Sequence, residues 1–452
     1  MNRAYVLLFT LVACRQLDVI AELPADGGGA DVGTLDASAD AGLDAGPGAD
    51  GGFCEGQGPV VLVGDQGRTL CSGRLAESTF RYALCSCEGY VGNHRLVTDA
   101  FDSREGPFTS AEVGGSVGIN GRLATAGDTE LGGTLRAGDA VQVSGPARLA
   151  VAADLFVQGD LRADGTVEVA RSAQVGGAVD VPDLRVAGTL TTAPGAVVQL
   201  HGGGQLGGQT TGPVSVPPPC ACGADQLFDV AAWVAAQRSD NHNSRIGLGE
   251  GDWQNLATDL TVNLPCGRYW VNAVGGAGGL TLRLEGRVAL FVSGDLSLQA
   301  PLQIDTSLGG ELDLFVAGNV VSAGRLDLGD AANPARVRLY VGGNGTLELS
   351  GGGVFAGNVY APRAELVSSA ALEAFGSLFV RRVALSDQLI IHYDTAVLDN
   401  GAECPPTDGR CDSCLDCRNQ ACNGGSCGAC VDDGDCCAPL FCVGGTCVAD
   451  PF

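Results

Sequence analysis

The feature that most narrows the fold is a short phrase repeated with little change, as in DLFVQGDLRADGTVEVARSAQVGGAVDV at residues 154–181. Gly115-Ser116-Val117 returns 18 residues later as Gly133-Thr134-Leu135, and Gly159-Asp160-Leu161 returns at the same interval as Gly177-Ala178-Val179. Eighteen residues make three hexapeptides, which is one turn of a parallel β-helix. Gly133 and Gly159 stand 26 residues apart, so some turns are expected to carry loops. A second series follows: LFVSGDLSL at 290–298, LFVAGNVVS at 314–322, a period of 24, and LYVGGNGTL from 339. Each unit alternates apolar and polar residues at strand spacing. The alternation places Leu312 and Leu314 on the core side and Asp313 on the solvent side. Units close on Gly-Asp or Gly-Asn, residues suited to left-handed corners. One such turn buries too little to order itself, so turns must stack, and the ends need caps.

These patterns predict an all-β chain, a right-handed parallel β-helix, either one interrupted or two stacked, with short capping helices and a disulfide-rich C-terminal module. The 70 Gly and the 5% aromatic content suit tight corners and closely packed strands. RLAESTFRYALCSC at 74–87 puts Leu75, Phe80, Ala83 and Leu84 near one helical face, and is expected to cap the N-terminal end. ADQLFDVAAWVAAQR at 224–238 has Leu227, Val230, Ala231 and Val234 at helical spacing, after VPPPCAC, and reads as a break between stacks or an insertion in one. The expected domains are a signal segment 1–14, a tether 15–52, a cysteine-containing cap 53–112, first repeats 113–219, a helical insertion 220–265, second repeats 266–400, a linker 401–410 and a cystine-rich module 411–452.

At the start, Arg3 precedes an apolar run from Ala4 to Ala13, long enough for a signal-peptide core and too short to span a bilayer. Leu11-Val12-Ala13-Cys14 resembles a bacterial lipobox. That resemblance implies cleavage before Cys14, lipidation of its thiol, and a lipid anchor in a membrane. Arg15 after the cysteine implies the outer membrane or cell surface rather than the inner membrane. Residues 25–52 hold six Asp and no cation and have no apolar periodicity, so they are expected to stay a disordered tether.

With Cys14 lipidated, 18 cysteines remain, in three even groups: Cys54, Cys71, Cys85 and Cys87; Cys220, Cys222, Cys266 and Cys404; and Cys411, Cys414, Cys417, Cys422, Cys427, Cys430, Cys436, Cys437, Cys442 and Cys447. Even groups suggest disulfides within each group, formed in an oxidising compartment. The two-residue gaps at Cys411, Cys414, Cys417, Cys427 and Cys430 are the spacing of zinc ligands, but the adjacent Cys436 and Cys437 favour disulfides. A formal charge of −26 repels phosphate backbones, which excludes nucleic acid as a partner. All 26 cations are Arg, so no lysine Schiff base is available.

LPCGRYWV, VALFVSGDL, LDLFVAGNV, NVYAPRAEL, FGSLFVRRV and IIHYD, across residues 264–394, resemble an uncharacterised β-helical domain family of bacterial surface proteins. The first repeats are more loosely similar to the bactofilins, polymer-forming β-helices. The tail resembles small cystine-rich, knottin-like modules. None of these resemblances implies a catalytic residue, a cofactor or a metal.

Several motifs fail in context. Gly114, Ser116 and Gly118 fit Gly-x-Ser-x-Gly but lead into β repeats instead of a helix. Gly202, Gly204 and Gly207 fit Gly-x-Gly-x-x-Gly, yet prolines follow. Ser239 to Asn243 with Glu250 and Asp252 offer oxygen ligands for calcium between Asp240 and Asp252, without the spacing of a calcium loop. His392, Tyr393 and Asp394 close the last repeat and are expected to be structural. The sequence therefore reads as a non-enzymatic surface lipoprotein, a rigid or adhesive scaffold presenting the cystine-rich module to an extracellular protein or polysaccharide. The alternatives are a polysaccharide-processing β-helix enzyme and an envelope polymer-forming scaffold.

Overall fold

The computed structural model describes residues 53–55, 60–63, 68–109, 113–224, 226–322, 326–348, 353–403, 411, 414, 417 and 420–448. The expected signal segment, Cys14 and the tether lie outside the described residues, as do the side chain of Cys71 and residue Cys404. The repeats stack as a parallel β-solenoid of about 13 turns, with few short helices. Val117–Ile119 pairs with Leu135–Ala137, which pairs with Leu155–Val157, which pairs with Ala173–Val175, all parallel and in register. Leu290, Leu314 and Leu339 stack likewise in the later repeats. Inward residues such as Leu135, Leu155, Leu290 and Leu314 are buried, each covered by its equivalents one rung above and below.

The 26-residue interval is not a loop. Gly133 precedes a strand on one side of the solenoid and Gly159 precedes a strand on the next side, so the interval is one longer turn and one further step. The Gly-Asp corners are also built differently from the expectation. Gly177 and Gly318 have ordinary backbone angles. What requires glycine there is space: a Cβ at Gly177 would come within 2.3 Å of Asp160 Oδ1, and one at Gly318 within 2.2 Å of Asp295 Oδ1. The aspartate fills that room because it accepts a hydrogen bond from a backbone N–H on the next rung. Asp160 accepts from Ala178 N at 2.8 Å, Asp154 from Ser172 N at 2.9 Å and Asp295 from Asn319 N at 2.7 Å. The motif is a corner ladder that satisfies amides between rungs.

The chain enters this stack in its middle. Leu84–Gly92 pairs with Val117–Ile119 and Arg122–Thr125 on one side and with Leu378–Leu385 on the other. Leu96–Phe101 likewise lies between Thr129–Leu131 and Leu389–Asp394. Residues 84–101 are thus a shared central rung and not an end cap, and the helix Ser72–Thr79 that precedes them sits beside that centre, against Thr395–Glu403. From the centre the chain winds outward to Val198–Thr211, returns along the side, and winds inward from Leu260–Leu264 to meet its own start. The two series of repeats form two stacks joined end to end.

The return segment, expected as a helical insertion, contains one short α-helix, Val230–Ala236, and is mostly an extended strap. Val216 N donates to Gln158 Oε1 at 2.7 Å and Cys220 N to Asn120 Oδ1 at 2.9 Å. Phe228 N donates to the Tyr360 hydroxyl at 3.0 Å, and Trp270 Nε1 to Val234 O at 3.0 Å. The strap therefore passes rung after rung from one stack to the other. It also covers one outward position of Arg287–Val292, a strand buried throughout: Trp233 of the strap meets Phe291 at 6.3 Å, while Arg287 lies over Phe53. Beneath the strap runs an outward ladder in which Trp270, Phe291, Phe315, Tyr340, Tyr360 and Phe379 are register partners. Phe315 stacks on Phe291 and Tyr340, with centroids 5.2 and 4.7 Å away, and Phe228 of the strap meets it edge-on at 6.0 Å.

Asp313, expected at the surface, is fully buried. Its register partner Arg338, 1% exposed, donates from Nε to Asp313 Oδ1 at 2.5 Å, from Nη2 to Glu311 at 2.8 Å and from Nη1 to Ala335 O at 2.9 Å. Burial disfavours the guanidinium, but Asp313 and Glu311 outweigh it and raise the Arg338 pKa well above its usual value.

The disulfides cross the expected groups. Cys54 pairs with Cys266, Cys85 with Cys220 and Cys87 with Cys222, so Cys85 and Cys87 fasten the strap to the central rung, and Cys54 ties the segment Phe53–Glu55 to the first later rung. Evenness within each group was an insufficient guide, because the topology brings residues more than 130 apart to one corner. The tail cysteines do pair among themselves: Cys411–Cys422, Cys414–Cys437, Cys417–Cys427, Cys430–Cys442 and Cys436–Cys447. Two antiparallel hairpins, Ala421–Asn423 with Ser426–Gly428 and Phe441–Val443 with Thr446–Val448, complete this disulfide-rich region.

Candidate functional site

A groove of about 930 Å³ runs along one side of the first stack, from Val97 and Val113 near the centre to Gly207 at the outer rung. Strand alternation builds it. Glu130, Ala150, Glu168, Arg185 and Gln205 are outward register partners on successive rungs. Two residues after each comes a small one, namely Gly132, Ala152, Ala170, Ala187 and Gly207. Small residues sink that column and leave the charged column as a rim. The rim is a chain of ion pairs. Arg95 holds Glu130 at 3.1 Å, Arg148 and Arg185 both hold Glu168, the latter at 3.1 Å, and Arg185 also holds Asp183 at 2.7 Å. Being exposed, such pairs add little stability. They line the groove with charge at Glu130 and, past Ala150, on the adjacent rungs of Glu168 and Arg185, about 4.8 Å apart.

At the central end the groove is lined by Asp99, whose side chain is held by His392. The histidine Nδ1 lies 2.8 Å from Asp99 Oδ1, and its Nε2 lies 3.2 Å from Glu373 Oε1. Phe108 and Phe375 pack on the ring, at 4.1 and 4.6 Å. Burial works against the imidazolium, yet Asp99 and then Glu373 outweigh it and raise the His392 pKa above the usual histidine value. Asp99 and His392 face each other across the joint between the two stacks, so this pair fastens the seam. Tyr393 donates to Phe80 O at 2.7 Å. Asp394 accepts from the backbone N–H of Ser103, Ala335 and Ala396 at 3.0 to 3.1 Å. Burial raises its pKa in spite of those three donors. Tyr393 and Asp394 thus fasten the loop and helix that cover the joint.

The cystine-rich region sits beside the groove. The Arg171 guanidinium lies over the Phe441 ring at 5.8 Å, next in sequence to the groove residue Ala170, and Pro439 shares a smaller pocket with Val113.

The other motifs go elsewhere. Ser116 is buried, and its Oγ accepts from Thr134 N at 3.0 Å, which makes it a rung linker. Gly202, Gly204 and Gly207 fall within the outer strand Val198–Thr211. The proposed calcium oxygens are not gathered: Asp240 pairs with Arg268 at 2.6 Å, Glu250 with Arg238 at 2.8 Å, and Asp252 accepts from Gly249 N at 2.7 Å. The cysteine clusters with metal-like proximity are the disulfide-bonded tail cysteines, which leaves no thiolate for zinc there. The groove rim was missed in the sequence. The available signal was charge recurring with constant parity at 17- to 20-residue intervals, as in Arg148, Glu168 and Arg185.

No curated protein and no solved structure matches this chain. Residues 224–400, the strap helix and the whole second stack, match the family model described as a domain of unknown function (DUF7305).

Proposed function

We propose that this chain is a bacterial envelope lipoprotein: a rigid β-solenoid, carried on a lipid anchor at Cys14 and an acidic tether, that holds the groove and the cystine-rich module side by side for an extracellular protein or polysaccharide. The observation that carries this reading is the pairing of all sixteen described cysteine side chains into eight disulfides. Such density suits an oxidising compartment outside the cytoplasm. The signal segment and the Leu11 to Cys14 stretch supply a route there, and two or more acyl chains hold a protein to a membrane stably. Binding is favoured over catalysis because the rim carboxylates Glu130 and Glu168 are each ion-paired with arginine, which holds them as charged, oriented acceptors along the groove. The rival reading, a polysaccharide-processing enzyme, draws on the groove and on analogy with other β-helices.

The test has two arms. Cys14→Ala should move the protein out of the detergent-soluble membrane fraction, and a variant still processed and membrane-bound refutes the anchor. Ala170→Trp, which fills the groove floor, should abolish retention on envelope polysaccharide while the melting temperature stays unchanged. Release of new reducing ends by the unmodified chain would establish the enzyme instead.

A further inference from the structure

The two outer ends of the solenoid are finished differently. At the end that begins with Leu260–Leu264, residues 242–258 lie across the first rung and satisfy its amides and carbonyls. His242 N donates to Arg268 O at 2.6 Å, Asn272 N to Glu250 O at 2.7 Å, Gly275 N to Trp253 O and Leu256 N to Gly275 O at 2.8 Å. Trp253 is buried in that cap. At the other end the last rung is Val198–Thr211, and among the described residues its sole strand partner is Val179–Thr192. The following segment does not cover it, since by Val216 the chain already bonds Gln158, three rungs inward.

This last rung reads VQLHGGGQLGGQTT. It has no Asp, Glu, Arg or Pro, in a chain with a formal charge of −26. Exposed edges are ordinarily guarded by charge, proline or a covering element; this rung carries no carboxylate, arginine or proline, and among the described residues no strand pairs with its outer edge. Its inward residues are also half finished. Val198, Leu200 and Leu206 remain partly exposed, while their partners one rung inward, Val179, Val181 and Val186, are buried. The rung thus offers a row of backbone donors and acceptors together with an uncovered slice of core.

We propose that this rung is a self-association surface and that its occupant is the same rung of a second copy of this chain, related by a two-fold axis, with the strands of the two end rungs antiparallel. Two properties select a second copy. The chain repels other acidic surfaces, so copies approach most easily through a rung that itself carries no carboxylate and whose His201 sits 2.8 Å from Asp180 of the rung beneath. A two-fold axis presents an identical edge to itself, so apolar residues meet apolar residues and the Gln and Thr side chains meet their like. Because the opposite end is capped, association closes at two copies and does not continue into a filament. This inference is independent of the ligand for the groove.

Sedimentation equilibrium of the full chain in a non-denaturing detergent, over a hundredfold range of concentration, should give twice the chain mass. Leu206→Arg, and separately Gln209→Glu at an already exposed position, should each halve that mass with an unchanged circular dichroism spectrum and melting profile. A monomer at every concentration overturns the proposal. So does a dimer that survives both folded variants, and so does a series of higher masses, which would require the capped end to take part.

Discussion

Phe315 and Phe156 stand on the same outward ladder of the solenoid, linked rung by rung through Tyr340, Tyr360, Phe379, Cys85, Gly118 and Arg136. Alternation alone treats them as equivalent solvent-facing positions. The strap makes them different. Phe315 is fully buried, with three aromatic neighbours, whereas Phe156 is half-buried beneath the Arg136 guanidinium at 4.2 Å. Phe315→Ala should therefore cost about 3–5 kcal/mol, the range for truncating a buried phenylalanine into a cavity. Phe156→Ala forfeits mainly one exposed cation–π contact, about 0.5–1 kcal/mol. A solenoid of this length need not unfold in one step, so the comparison belongs to local opening. Native-state hydrogen exchange of the Leu312 to Val316 amides should accelerate more than a hundredfold in Phe315→Ala, since each 1.4 kcal/mol of lost opening energy is tenfold. Amides of Leu155 to Val157 should change less than tenfold in Phe156→Ala. Equal costs at the two sites would refute the idea that the strap converts a surface ladder into core.

Two further perturbations probe the buried charges. Arg338→Leu strands Asp313 without its cation and should destabilise the second stack by about 3–5 kcal/mol, with much of the loss regained in Arg338→Leu/Asp313→Leu, as measured by urea unfolding. The raised pKa of His392 means that its stabilisation is fully present below the unfolded histidine value of about 6.5 and is lost as pH rises through the higher folded value. The joint around Leu389–Asp394 should accordingly open more readily at pH 8 than at pH 6 once the intrinsic exchange rates are normalised, and His392→Gln should remove that dependence.

What the sequence disclosed and what it withheld separate along a physical line. Rung contacts were legible because every turn must bury the same column, so Leu290 and Leu314 had to resemble each other at the right interval. The order of the rungs in space was not. Any well-formed parallel rung presents the same edge, and nothing in Leu84–Gly92 specifies that it is paired on both sides. That ambiguity also misled the cysteine groups, since Cys85 and Cys87 meet Cys220 and Cys222 only because the chain starts in the middle and must return past its own start. The return in turn covers part of one outward face, which is why Phe315 violates alternation while Phe156 obeys it, whereas Asp313 is buried by Arg338, itself held by Ala335 O. The groove stayed hidden for the opposite reason: exposed ion pairs such as Arg185–Glu168 contribute so little to stability that folding alone does not dictate them. Glu130, Glu168 and Arg185 share one outward column beside a floor of Gly and Ala, a placement that strand parity fixes but that no requirement of burial singles out from the other exposed columns.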